Sequence, residues 1–107
     1  MGEIRTISAR QVIERVKQQD FRCAISGRML TPETASLDHI LPLSRGGEHS
    51  FENVWVVDHQ INIAKGTMTL EEFVNMCRQV TQYQDGRRNI ATASSERRDA
   101  ATDSMVP

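Results

Sequence analysis

Two hydrophobic periods alternate along the chain and mark out its elements. Val12, Ile13 and Val16 fall on one face of a helix at residues 9–19, with Arg10, Glu14, Arg15 and Lys17 on the other. Ser8 followed three residues later by Gln11 forms a capping box that starts this helix. Phe21 to Leu30 is short and mixed, and Thr31-Pro32-Glu33-Thr34 is a turn. Ala35 to Leu41 reads as a strand, ended by Pro42, which has no N–H for a ladder. A loop through Ser44-Arg45-Gly46-Gly47 follows, with glycines that permit positive φ and close approach of backbone to a phosphate. Ser50 caps one helical turn ending at Asn53, and the β-branched and aromatic run Val54 to Val57 is a second strand. A short helix carries His59, Asn62 and Lys65, with Asp58 at its positive end and Gly66 as its C-cap.

Thr69-Leu70-Glu71-Glu72 is a second capping box. Leu70, Phe73, Val74, Met76, Cys77 and Val80 form the stripe of a helix at residues 70–84, expected to pack on the core. From Asp85 the chain is rich in Arg, Ser, Ala, Thr and Asp without an apolar period. The expectation is one α+β domain over residues 1–84 and a disordered or extended tail over residues 85–107.

Composition narrows this further. A chain of 107 residues holds one domain with a modest core. Aromatic residues are 5% of it, so that core rests on Ile, Val, Leu and Met. A net charge of −1 gives no basic excess, so affinity for nucleic acid rests on local cations such as Arg22, Arg28, Arg45 and Lys65. No apolar run approaches the ~20 residues of a membrane span, and no secretion signal is present at the N-terminus. A cytoplasmic protein without membrane partners is expected. Cys23 and Cys77 stand far apart and suggest no disulfide framework; both read as partly buried small apolar residues.

The chemistry gathers between Leu37 and Gly66. Asp38 is a hard oxygen ligand suited to Mg²⁺. His39 is placed to accept a proton near neutral pH. Asn62 offers a neutral oxygen ligand, and Lys65 and Arg45 offer positive charge to a phosphate. These are the parts of metal-assisted phosphodiester hydrolysis.

Asp38-His39-Ile40-Leu41-Pro42, Gly46-Gly47, Asn53 and Asn62-Ile63-Ala64-Lys65-Gly66 resemble, in order, the D-H-I-x-P segment, Gly-Gly loop, Asn and N-x-x-K-G of HNH nucleases. The chain is an H-N-N variant of that pattern, which spans about a third of it. The resemblance implies a ββα-metal (HNH/His-Me finger) core with flanking N- and C-terminal helices. It implies a DNA endonuclease that uses one divalent ion, Mg²⁺ or Mn²⁺, nicks one strand and shows little sequence specificity alone. His39 would be the general base, Asp38 and Asn62 the metal ligands, and Asn53 the tie that holds the loop and the base. Arg45 and Lys65 would contact DNA. Phage packaging, homing and restriction all use the module, and the chain would act on DNA as a homodimer or within a larger nucleoprotein complex. His49 is expected to face solvent, and His59 to be structural or exposed.

Cys23-Ala24-Ile25-Ser26-Gly27 resembles the first knuckle of the zinc ribbon found in many HNH proteins. Ser26 replaces its second cysteine, and Asp58 and Ile61 occupy the two positions of the other knuckle. With three of four thiolates missing, no structural zinc is expected. Packing around Cys23 and Ile61 and a Ser26–Asp58 hydrogen bond would take its place, in preference to a metal held by Cys23, Asp58 and His59. Two rival readings remain. One is a catalytically weak HNH-scaffold DNA-binding module within a larger phage or defence complex. The other is a structural zinc site at Asp38, His39 and His59. The presence of Asp38, His39, Asn53 and Asn62 together favours the nuclease.

Overall fold

A computed structural model describes residues 6–93. The chain divides into two units, Met1–Phe73 and Val74–Pro107. In the first, helix α1 (Ala9–Gln18) precedes strand β1 (Ala35–His39), and 3-10 turns at Leu43–Arg45 and Phe51–Asn53 lead into strand β2 (Val54–Asp58). Helix α2 (His59–Lys65) follows, and helix α3 (Leu70–Ala93) begins in this unit and continues into the second. This is the expected α+β architecture, a ββα core flanked by two helices.

The two strands pair antiparallel, with Ala35 opposite Asp58, Asp38 opposite Trp55 and His39 opposite Val54. Val54, Val56 and Val57 are all essentially inaccessible, so β2 is covered on both faces and reads as a continuous β-branched run. Helices α1 and α2 both pack against it. Burial of each valine contributes roughly 1.5–3 kcal/mol.

Helix α1 starts at the predicted box: Ser8 Oγ accepts from Gln11 N at 3.1 Å, and Gln11 Oε1 accepts from Ser8 N at 2.9 Å. It has no fully buried residue and is attached through its polar side chains instead. The Gln19 amide donates to Val56 O at 2.8 Å and accepts from Val56 N at 3.0 Å, satisfying the backbone of β2 as a neighbouring strand would. Arg15 donates to Phe51 O at 2.7 Å, and its guanidinium lies 4.0 Å above the Phe51 ring.

The segment that resembles a zinc knuckle forms a tight turn. Cys23 N donates to Arg28 O at 2.6 Å, and Gly27, with φ of 76°, supplies the left-handed residue. Burial alone pushes the Cys23 thiol up, but hydrogen bonds from Ser26 and the N–H groups of Asp58 and Ile25 outweigh it and hold the thiol below its ordinary value. The expected Ser26–Asp58 hydrogen bond is not formed. Arg28 reaches across instead, to Asp58 Oδ1 at 3.4 Å and Gln60 Oε1 at 2.8 Å. The Ser26 hydroxyl oxygen instead accepts from Arg28 N at 3.3 Å. Ile61 is half-buried.

The cap of α3 is also as predicted, with Glu72 N donating to Thr69 Oγ1 at 3.2 Å and Thr69 N to Glu72 Oε1 at 3.0 Å. Phe73 is buried. In the second unit the stripe expected to pack on the core is different: Met76, Cys77 and Val80 are exposed. The helix also runs past residue 84 to Ala93, into the segment expected to be disordered or extended. Local pairs support it there: Arg87 lies over the Tyr83 ring at 5.5 Å, and Arg88 reaches Asp85 at 3.6 Å. The rest of the predicted tail, residues 94–107, lies outside the described residues. No helix among the described residues is long and apolar enough to cross a membrane.

Candidate active site

Strand alternation sends Asp38 and His39 to opposite faces of β1. Asp38 turns inward and is 5% exposed. The indole of Trp55, its cross-strand partner, donates to Asp38 Oδ2 at 2.7 Å. Lys65 reaches the same carboxylate, with Nζ 3.2 Å from Oδ1 and 3.1 Å from Oδ2, and also donates to His39 O at 3.3 Å. Its side chain is fully buried. The expectation that Lys65 contacts DNA is therefore corrected. Helix α2 packs its last turn on β1, and there the ammonium neutralises a carboxylate that burial would otherwise isolate.

Asn62 lies one turn before Lys65. Its Nδ2 donates to Ser36 Oγ at 2.7 Å and to Leu37 O at 3.4 Å. A backbone carbonyl only accepts, so the amide nitrogen is fixed on this side. That leaves Oδ1 with no protein partner among the described residues.

Asn53 does different work. Its Oδ1 accepts from Leu41 N at 2.9 Å, and its Nδ2 donates to Leu41 O at 3.0 Å and Glu48 O at 2.8 Å. Its own carbonyl accepts from Ile40 N at 2.8 Å. Both amide hydrogens and one lone pair of the oxygen are spent on the loop, so in this structure the Asn53 side chain clamps it. Gly46 has φ of 95°. Gly47 is packed so closely that a Cβ there would lie 1.8 Å from Leu41 O and 2.9 Å from Asn53 Nδ2. Close approach at this glycine is thus to the protein's own backbone.

His39 is half-buried, and its Nε2 lies 2.8 Å from His49 Nδ1. The two rings are tilted by 52° with centroids 5.1 Å apart. Burial first, then the neighbouring His49 and Lys65, hold the His39 imidazole below its ordinary value against the opposing pull of Asp38. The shift favours the neutral ring, the form that can accept a proton. His49, expected to face solvent, is half-buried against His39. Its sequence signal is indirect: Asn53 draws in the carbonyl of Glu48, and the next residue is carried over the end of β1.

Arg45 remains exposed beside this loop and pairs with Glu72, which keeps the guanidinium pKa up and the Glu72 carboxyl below its ordinary value. His59 is exposed at the start of α2. A cleft of about 350 Å³ brings Asp38, His39 and Asn62 into one wall system with Pro42, Leu43 and Gly66.

Among the described residues no three His, Cys, Asp or Glu side chains are grouped to hold a metal ion. Asp38, His39 and His59 therefore form no zinc cage of the kind a structural site needs. The cleft offers instead one carboxylate and one free amide oxygen. An ion such as Mg²⁺ keeps several waters and takes one or two carboxylates plus phosphate oxygens, so the donor set fits it. Asp38 Oδ1 accepts one hydrogen bond from Lys65 and retains a lone pair for this purpose.

Residues 23–69 match the family described as HNH endonuclease, a span from the Cys23 knuckle through the hairpin, loop and α2 to the cap of α3. No curated protein matches the chain.

Proposed function

This chain belongs to the HNH endonuclease family through residues 23–69, and on that premise we propose that it hydrolyses DNA phosphodiester bonds with a divalent metal and His39 as general base. The observation that carries this reading is a single cleft lined by the His39 imidazole, the buried Asp38 carboxylate and the Asn62 side chain, whose amide oxygen has no protein partner among the described residues. HNH nucleases act on DNA and generally use a divalent metal.

Asp38 and Asn62 would hold the ion, Mg²⁺ or Mn²⁺. When bound, it would stabilise charge on the scissile phosphate and on the leaving 3′ oxygen. His39 takes the proton of the attacking water, a step typically worth ~10²–10⁴ in rate. Lys65 and Trp55 fix the Asp38 carboxylate, and Asn53 fixes the loop behind His39. Arg45 exchanges Glu72 for a backbone phosphate. By family analogy the products carry 5′-phosphate and 3′-hydroxyl ends. One core nicks one strand; a double-strand break needs two copies. Sequence preference is weak or supplied by a partner, in a homodimer or a nucleoprotein complex. The free thiols of Cys23 and Cys77 suit a reducing cytoplasm, the setting we assign to it.

The second reading is a DNA-binding module with little activity. It is favoured by the buried Lys65 ammonium, which already neutralises the Asp38 carboxylate that the ion would use. Incubation of the purified chain with supercoiled plasmid separates the two. Nicking in Mg²⁺ or Mn²⁺ that EDTA abolishes supports the nuclease; a gel shift without cleavage in either metal supports the module.

A further inference from the structure

We infer that His49 is a positioning residue for the general base, accepting the Nε2–H of His39 on its Nδ1 and so leaving His39 Nδ1 unprotonated for the attacking water. The inference rests on the reading of His39 as base.

Two ring nitrogens 2.8 Å apart share one proton, and only two arrangements are possible. If His49 Nδ1 donates, His39 Nε2 is the acceptor and its remaining nitrogen carries the proton of the neutral ring. Such a ring has no lone pair left for water. If His39 Nε2 donates, the lone pair sits on His39 Nδ1, which has no protein partner among the described residues. A base at His39 therefore requires His49 as acceptor, with its own proton on Nε2. The same logic governs ligand histidines, whose tautomer and ring orientation are set by the group bonded to the other nitrogen.

The loop is built to deliver this acceptor. On one side of His49 the Glu48 carbonyl is bound by Asn53 Nδ2 at 2.8 Å. On the other, Ser50 is buried and its carbonyl accepts from Asn53 N at 2.9 Å. Asn53 thus grips both neighbours of His49, and Gly47 lets the chain fold back against Leu41. Asn53 also binds both backbone groups of Leu41, so the segment carrying His49 is tied to the residues that follow His39.

The test uses the full chain with His49→Ala, His49→Asn and His49→Gln. An asparagine oxygen falls where a histidine Nδ1 lies, whereas glutamine places its oxygen one bond farther out. Nicking should show kcat reduced about 10–100-fold in the Ala and Gln variants with KM unchanged, and largely recovered in the Asn variant. Imidazole ¹⁵N shifts of the metal-free protein read the contact without activity. They should place the His39 proton on Nε2 in the wild type and show a mixture of the two neutral tautomers in His49→Ala. A wild-type His39 protonated on Nδ1, or equal kcat in all three variants and wild type, would overturn the inference. A wild type that cuts no DNA in any metal defeats the nuclease reading, while the ¹⁵N shifts still decide whether His49 sets the His39 tautomer.

Discussion

Lys65 ends α2 with its ammonium inside the protein, bonded to both oxygens of Asp38. Removing one member of a buried pair leaves the other charge without a partner, at a cost of about 3–5 kcal/mol. Lys65→Met should lower the unfolding free energy by that amount in a urea melt of the metal-free chain. Adding Asp38→Asn should recover most of it, because no charge is then left alone. A second prediction concerns His39, whose imidazole burial and His49 hold below the ordinary value of about 6.5. As pH falls from about 7.5 to 5.5 the unfolded chain takes up a proton that the folded chain resists. Stability therefore falls on acidification, and the effect vanishes above that window, where both states are neutral. Metal-free urea melts should show a shallower pH dependence for His39→Ala; an identical dependence contradicts the assignment. His39 was legible because its neighbours form a recognisable segment. The fates of Lys65 and His49 were not, because each depends on a long-range contact: which face of α2 meets β1, and where Asn53 pulls the loop.

The loop between the strands is the element on which the site depends. Gly46 and Gly47 are adjacent but constrained differently. At Gly46 the backbone is left-handed with open space around it, so Gly46→Ala should cost about 1–2 kcal/mol and little else. At Gly47 a side chain meets the Leu41 carbonyl and the Asn53 amide, so Gly47→Ala must displace the clamp. It should cost about 1–3 kcal/mol and also reduce nicking, because His49 moves with the loop. Urea melts and single-turnover cleavage of both variants check this; equal activity in the two would contradict it. Elements specified by neighbouring residues were readable from the sequence: the Ser8 and Thr69 boxes, the hairpin and the Gly66 cap. Attachments made by long polar side chains were not. Gln19 satisfying β2, and Arg28 bridging to Asp58 where a zinc knuckle would close, leave no periodic signal. The extension of α3 to Ala93 was hidden because its helical support comes from charged and aromatic pairs rather than an apolar stripe.

At the scale of the molecule, Cys23, Pro42, Val54, Val56, Val57 and Phe73 are the buried apolar residues among those described, a small core for a chain of this length. Such a core gives modest stability, and polar groups then carry much of the structure: Asp38, Lys65, Ser50 and Asp58 are buried as well. Three of the four lie on the hairpin and helix that build the cleft, so fold and proposed chemistry share the same residues. The central claim is that His39 activates water in this cleft. Supercoiled plasmid cleavage in Mg²⁺ and Mn²⁺, wild type beside His39→Ala, tests it most directly. The account predicts nicking by wild type that falls by ~10² or more in His39→Ala, with the variant still folded. Undiminished nicking by His39→Ala would contradict it.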